Sequence, residues 1–205
     1  MKLHLIGNGP SINHFPLDSE GIRIGCNIVE SKYNCEWTMV VDWKPLGMII
    51  EKQVECDTQV ATTGFCIESI KRKGLNRYKY KWLNNCKIFD QLDQGEKYTP
   101  IWSSIEGKLS VNSGHHSLWH GIKEFNPTEV HLWGCDSIAE DNIESLTDKY
   151  ITDKNLKNGK SKSEIWREVW EIIIELNPNI TFYIHTAQEP KLKKLQNMVY
   201  KPIKL

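Results

Sequence analysis

Short apolar runs alternate with longer polar or helical stretches along this chain. Such runs, bounded by turn-forming or charged residues, predict β-strands. They lie at Lys2–Ile6, Ile22–Cys26, Trp37–Val41, Thr58–Ala61, Lys87–Phe89, Val130–Trp133 and Thr181–Ile184. Apolar positions at helical spacing predict helices at Ser113–Phe125 and Ser163–Leu176. This alternation is typical of an α/β fold: a single Rossmann-like domain over residues 1–205, with a mostly parallel sheet and helices on both faces.

Two stretches, residues 91–110 and 141–160, have no stable period and are rich in polar or turn-forming residues. We expect loops there, which act either as lids over a site or as solvated surface segments. The second predicted helix carries Trp166, Trp170 and Leu176 on one side at helical spacing. We interpret that side as core.

The composition is balanced, with 26 Lys and Arg residues against 26 Asp and Glu residues. No global field draws such a chain to polyanions, which argues against a nucleic-acid partner. The chain has no apolar run of the roughly 18 residues that a spanning helix needs, and no signal-peptide pattern at its start. We expect a soluble, cytoplasmic protein. The cysteines, scattered without a Cys-x-x-Cys pair, are typical of reduced thiols.

The first strand runs directly into Gly7-Asn8-Gly9-Pro10-Ser11. The two glycines let the chain turn and approach a ligand closely, and proline favours a first helical turn. The backbone N–H groups here, with the Asn8 and Ser11 side chains, are therefore candidates for holding a phosphate. A purely structural turn explains the same residues, and the third glycine of the dinucleotide fingerprint is absent.

Polar residues also follow the second and third strands, where Asn27 and Asp42 end apolar runs. The carboxyl ends of parallel strands lie at one edge of the sheet, so both should face the same crevice as the first loop. Asn27 offers a donor and an acceptor to a base or ribose, and Asp42 accepts from sugar hydroxyls. The alternative is that each residue caps its own turn.

A further polar cluster opens the first predicted helix, at Asn112, Ser113 and Gly114. Their side chains and the amides of the helix start are candidates for binding phosphate or ribose. Asp136 follows the next strand, and we expect it at the same crevice as a candidate catalytic group.

Three histidines are candidate general bases: His115 and His116 at the helix start, and His185 directly after the last predicted strand. His116 also shares a helix face with His120, the spacing of a metal-binding pair. No third ligand accompanies that pair, so we predict no metal site.

The series Gly7-Asn8-Gly9-Pro10-Ser11, Cys26-Asn27, Asn112-Ser113-Gly114 and Trp133-Gly134-Cys135-Asp136 resembles the bacterial sialyltransferases that act on lipo-oligosaccharides. It is also similar to motility-associated glycosyltransferases, to the archaeal-type hydroxymethylpterin diphosphokinase and to short phage-encoded proteins. These short motifs lie between residues 2 and 137.

The resemblance implies a cytidine monophosphate sugar donor, metal-independent transfer, and inversion at the anomeric centre. By that resemblance the donor site comprises Asn8, Gly9, Ser11, Asn27, Ser113 and Gly114, with Asp136 as the aspartate of Gly-x-Asp. The family's base is a histidine before the final helix, but residues 158–163 of this chain contain none. The family's tyrosines after Gly-x-Asp are also missing, with only Tyr150 nearby.

The leading hypothesis is a glycosyltransferase that moves a sugar from a nucleotide-activated donor to a glycan or other hydroxyl acceptor, without obligatory metal. The donor site then comprises Asn8, Ser11, Asn27, Asp42 and Ser113. An alternative is an ATP-dependent diphosphokinase acting on a pterin-like or nucleoside alcohol, with Mg²⁺ on Asp42 and Asp136. A third hypothesis is a non-catalytic phage protein that binds a nucleotide or host factor. The oligomeric state is left open.

Overall fold

A computed structural model describes residues 1–52, 56–72, 85–90, 111–141 and 162–204. The strands are β1 (Lys2–Ile6), β2 (Ile22–Cys26), β3 (Trp37–Met39), β4 (Val60–Thr63), β5 (Lys87–Phe89), β6 (Glu129–Trp133), β7 (Thr181–Thr186) and β8 (Met198–Pro202). The α-helices are α1 (Trp43–Ile50), α2 (Gly64–Arg72), α3 (Ser113–Phe125) and α4 (Lys162–Glu175). Short 3-10 helices occupy Pro10–His14, Ser31–Tyr33 and Asp136–Ile138.

The eight strands form one sheet in the order β5-β4-β3-β2-β1-β6-β7-β8. Every neighbouring pair is parallel. The predicted α/β fold with a parallel sheet is therefore confirmed. The chain builds outward from β1 to β5, then returns to the other side of β1 with β6. The carboxyl ends of β1 and β6 thus form a topological switch point, the usual place for a ligand in open α/β sheets.

Helices cover both faces of the sheet. One face packs against α3 and α4 through Leu5, Leu132 and Trp170. The other face packs against α1 and α2 over β3 and β4, and against Ile12 and Phe15 over β1 and β6. Each large apolar side chain buried in this way stabilises the fold by about 1.5–3 kcal/mol. Strands covered on both faces explain why their sequences are short continuous apolar runs.

Several details differ from the sequence predictions. The helices α1 and α2 and the strand β8 were not predicted, because Pro45 and Gly47 interrupt the pattern of α1 and β8 is a half-exposed edge strand. Leu176 is 43% exposed because α4 ends before it, so its core assignment was wrong. The predicted loops at 91–110 and 141–160 lie outside the described residues, apart from Asp141.

Within the described ranges, no helix has both the length and the apolar character needed to cross a membrane.

Candidate functional site

The ends of β1 and β6 meet through two glycines. The Gly7 N–H donates to the Trp133 carbonyl at 2.7 Å, and the Gly9 N–H donates to the Gly134 carbonyl at 2.9 Å. A Cβ atom on Gly7 would lie 2.3 Å from the Gly134 oxygen, and Gly134 has a φ of +66°. Only glycine fits such an approach of two backbones. The glycine at position 7 therefore serves the contact between strands.

The carboxylate of Asp136 lies at the start of the Pro10–His14 helix. Its Oδ2 accepts from the Ser11 N–H at 3.0 Å, while Ser11 Oγ accepts from the Gly134 N–H at 2.9 Å. A Cβ atom on Gly9 would lie 2.1 Å from this Oδ2. We call Gly7, Gly9, Ser11, Gly134 and Asp136 the β1–β6 joint.

The backbone N–H donors of the joint are hydrogen-bonded within the protein. The N–H groups of Gly7, Gly9 and Ser11 all donate to protein acceptors. The sequence predicted that a ligand's phosphate would take this position, but the anion found there is the protein's own carboxylate. Burial raises the pKa of Asp136, and its hydrogen bonds from Ser11 oppose that rise. Both residues are almost fully buried.

A second polar group, which we call the asparagine cluster, comprises Asn8, Asn27 and Ser113. The Ser113 hydroxyl donates to Asn27 Oδ1 at 2.8 Å and accepts from the Val41 N–H at 3.3 Å. Asn8 Nδ2 donates to the Ile28 carbonyl at 2.8 Å. The cluster brings together the ends of β1, β2 and β3 and the start of α3, as the sequence predicted for these residues.

The backbone of Asn27 fixes its side chain in place. Asn27 has a left-handed φ of 59°, which asparagine tolerates better than most residues. Its N–H donates to the Met39 carbonyl at 2.8 Å, and its own carbonyl accepts from Thr38 Oγ1 at 2.6 Å. Because Ser113 accepts from Val41, its hydroxyl hydrogen points to Asn27 Oδ1. Among the described residues, none accepts a hydrogen bond from Asn27 Nδ2, which is therefore a two-hydrogen donor at a half-exposed position.

The start of α3 uses a capping box. Asn112 Oδ1 accepts from the His115 N–H at 3.0 Å, and His115 Nδ1 accepts from the Asn112 N–H at 3.1 Å. The other ring nitrogen of His115 donates to the Trp166 carbonyl at 3.1 Å. Gly114 lies against the Trp170 ring, which a Cβ atom would meet at 3.4 Å. These residues hold the helix start and so place Ser113.

The three candidate bases differ in their surroundings. His115 is fully buried with both ring nitrogens engaged, and burial holds its pKa well below 6.5. His116 is also fully buried, and burial and His120 lower its pKa to about 3. His185 alone of the three is partly exposed. It is therefore the candidate base that a substrate can reach.

His185 belongs to an aromatic stack on the sheet. Its ring lies 3.6 Å from the Trp133 ring at an interplanar angle of 8°. Its Nε2 lies 3.1 Å from Nδ1 of His131 on β6. Burial, His131, His4 and Lys201 lower the pKa of His185 to about 3. Pairing across the sheet brings these rings together, which a linear sequence does not reveal.

Asp42 lies exposed at the end of β3, directly before α1. Two exposed aromatic side chains stand at the same edge: Trp43 is 46% exposed and Phe65, after β4, is 50% exposed. Neither side chain was predicted as a site residue from the sequence. Their positions in the sequence could have indicated them, because Trp43 follows Asp42 and Phe65 follows Gly64, each just after a strand.

The segment after β6 is held by ion pairs that the sequence did not predict. Arg167 donates to Asp141 Oδ1 at 2.8 Å and to the Ser137 carbonyl at 3.2 Å. Lys191 Nζ lies 2.6 Å from Asp141 Oδ2. Hydrogen bonds from Lys191 and Arg167 lower the pKa of Asp141. These contacts fix the chain that leaves Asp136.

Among the described residues, no three His, Cys, Asp or Glu side chains are placed to hold a metal ion. Asp136, one of the two ligands considered for Mg²⁺, is engaged with Ser11. No protein-family model matches this chain, and neither a curated protein nor a solved structure matches it.

Proposed function

We propose that this protein binds a nucleotide-activated sugar at the carboxyl edge of its sheet and transfers the sugar to an acceptor hydroxyl. The observation that carries the proposal is the asparagine cluster. The Ser113 hydroxyl at the start of α3 bonds to Asn27 after β2 and to Val41 after β3. Asn8 after β1 donates to the carbonyl of Ile28, the neighbour of Asn27. The cluster stands beside the switch point between β1 and β6, where open α/β sheets bind ligands.

The donor groups of the cluster suit a pyrimidine base. Asn27 Nδ2 offers two hydrogens, and a cytosine ring presents O2 and N3 as neighbouring acceptors. Asp42, exposed at the next strand end, can accept from ribose hydroxyls. A cytidine monophosphate sugar is therefore the donor that we propose first.

The acceptor side of the site lies across the switch point. Strand β7 is separated from β1 only by β6, so their axes are about 10 Å apart. His185 near the end of β7 is the base in this proposal, since His115 and His116 are fully buried. The chain acts in the cytoplasm in this proposal, because its described thiols are all free and reduced thiols persist there.

A second candidate function is nucleotide binding without turnover, as in a phage protein that captures a nucleotide or host factor. The burial of His115 and His116 favours it, because two of three predicted bases cannot meet a substrate in this conformation. The diphosphokinase alternative gains no such support, since Asp136 is engaged within the β1–β6 joint.

A thermal-shift panel of nucleotides and nucleotide sugars, with and without Mg²⁺, tests binding first. A ligand of the native state raises the apparent melting temperature by mass action. We expect a metal-independent shift with cytidine monophosphate and its sugars. Release of cytidine monophosphate in the presence of glycan acceptors then separates transfer from binding alone. No shift with any nucleotide contradicts the proposal, and a shift that requires ATP and Mg²⁺ supports the diphosphokinase.

A further inference from the structure

Three side chains form a line across two strands on one face of the sheet. They are Glu129 and His131 on β6 and His185 on β7. Glu129 Oε2 lies 3.6 Å from His131 Nε2, and His131 Nδ1 lies 3.1 Å from His185 Nε2. The second distance is a hydrogen bond, whereas the first is an electrostatic contact just beyond hydrogen-bond length.

The two rings share one hydrogen in their contact, so two neutral arrangements exist. In the first, His185 Nε2 carries the hydrogen and donates to His131 Nδ1, and His131 carries its own hydrogen on Nε2. In the second, His131 Nδ1 donates, and the bare lone pair of His131 Nε2 then faces the Glu129 carboxylate. A lone pair opposite a carboxylate is repelled, while an N–H is attracted. The first arrangement is therefore favoured.

The line is held rigidly by ring stacking. The Trp133 ring lies under His185 at 3.6 Å, and the Tyr183 ring lies against His131 at 4.6 Å. Both contacts are close to parallel, with interplanar angles of 8° and 16°. The stacks fix the plane of each imidazole, and the contact between His131 Nδ1 and His185 Nε2 fixes which nitrogens face each other.

We propose that Glu129 and His131 hold His185 in the Nε2–H tautomer, so that its Nδ1 presents the lone pair that deprotonates the acceptor hydroxyl. This inference rests on the proposed function. His185 is the catalytic residue, and Glu129 and His131 are positioning residues. In hydrolases with a catalytic triad, a carboxylate holds the catalytic histidine in the correct tautomer, and Glu129 and His131 have the same role here.

The proton balance of the step is simple. The acceptor hydroxyl transfers its proton to His185 Nδ1 as its oxygen bonds to the anomeric carbon. The bond from that carbon to the nucleotide phosphate oxygen breaks, and the nucleotide leaves with the electron pair. The imidazolium that forms keeps its Nε2–H on His131, whose other side faces the negative Glu129.

Burial and the basic side chains around the pair act in the opposite direction. His4 lies 4.9 Å from the His131 ring, and Lys201 is the register partner of His185 on β8. Burial, His4 and Lys2 lower the pKa of His131 to about 4, although Glu129 raises it. Burial, His131, His4 and Lys201 lower the pKa of His185 to about 3. Both rings are thus neutral at pH 7, and Glu129 is the anionic group in contact with the line.

Nitrogen-15 NMR of the full-length protein labelled on histidine tests the tautomers directly at pH 7. We expect His185 to show an unprotonated Nδ1 and a protonated Nε2, and His131 to show the same pattern. Glu129→Gln should give a mixture of both tautomers in His131 and His185. Glu36→Gln removes an exposed carboxylate directly before β3 and should leave the tautomers unchanged. A protonated Nδ1 on His185 in the unmodified protein overturns the proposal.

Turnover of the donor supplies the second readout. His131→Asn keeps an acceptor at the Nδ1 position and should retain most of kcat, whereas His131→Leu should lower kcat about tenfold or more with an unchanged donor KM. His185→Gln should lower kcat about a hundredfold. Wild-type kcat in His185→Gln overturns the catalytic role. If the unmodified protein transfers no sugar, the proposed function fails, while the NMR spectrum still decides the tautomer.

Discussion

The β1–β6 joint and the asparagine cluster both contain residues that the sequence predicted as ligand contacts, yet their hydrogen bonds end in different places. In the joint, the amides of Gly7, Gly9 and Ser11 all reach protein acceptors, and Asp136 fills the anion position. In the cluster, no described residue accepts from Asn27 Nδ2, which remains a donor at a half-exposed position. A motif residue is available to a ligand only where the fold does not already satisfy it.

The largest expected effect is on the joint. Gly7→Ala places a Cβ atom 2.3 Å from the Gly134 carbonyl oxygen, which no rotamer can relieve. The free energy of unfolding should fall by about 3 kcal/mol or more, as in an overpacked site. Gly64→Ala is the matched control, because nothing lies within 4 Å of its added Cβ. Equal denaturation midpoints for the two variants would show that β1 and β6 do not meet this closely.

His115, in the capping box next to Ser113 of the cluster, and Asp136, in the joint, should respond to pH with opposite signs. The pKa of His115 is lowered in the folded state, so the unfolded chain binds more protons below pH 6.5 and stability falls as the pH drops. The pKa of Asp136 is raised, so protonation below its folded pKa stabilises the joint instead. We expect about 2 kcal/mol to be lost between pH 7 and pH 5 from His115.

Denaturant titrations at several pH values measure this loss. His115→Gln should reduce the loss between pH 7 and pH 5 by about 2 kcal/mol, with the rest of the slope coming from other buried histidines such as His116 and His185. Asp136→Asn should not reduce that loss. A curve that remains as steep in His115→Gln as in the unmodified protein would remove His115 as the cause.

Within the joint, the shape of the Asp136 side chain should matter more than its charge. Asp136→Ala leaves the buried Ser11 N–H without its acceptor and should cost about 1–3 kcal/mol of stability. Asp136→Asn keeps an acceptor oxygen there and should cost less. Chemical denaturation measures the free energy of unfolding of both variants. An equal loss of stability in both would show that the charge of Asp136 matters more than its shape.

The smallest effect on stability should come from the cluster. Ser113→Ala removes the hydroxyl between Val41 and Asn27 and should cost about 1 kcal/mol. Its effect on nucleotide affinity should be larger than on folding, because Asn27 then loses the bond that orients its amide. Ser117→Ala is the control, because it removes a buried hydroxyl of α3 that donates to the Gly25 carbonyl on β2, away from the cluster. This variant should keep the nucleotide affinity of the unmodified protein.

Much of the fold follows from local pattern. The apolar runs predicted β1, β2, β5 and β6 closely. The helix predicted at Ser113–Phe125 matches α3 at both ends. The helix α1 was missed because Pro45 within its first turn is tolerated there but obscures the helical pattern.

The candidate site was predictable only in outline. Strand ends in a parallel sheet share an edge, so the grouping of Asn27 and Ser113 could be expected. The bond between Ser11 and Asp136 joins residues 125 positions apart, and the His131–His185 contact depends on strand register. Tertiary structure determines such contacts, so local sequence patterns could not predict them.

The most direct test of the account is a calorimetric titration of cytidine monophosphate, without metal, into the unmodified protein, Asn27→Asp and Asn34→Asp. Asn34 is exposed and has a similar left-handed φ of 48°, so it controls for the backbone strain of the substitution. The account predicts binding by the unmodified protein and Asn34→Asp, and an affinity at least about tenfold weaker in Asn27→Asp, which exchanges a donor for a negative acceptor. Equal affinity in all three proteins, or binding by none, would contradict it.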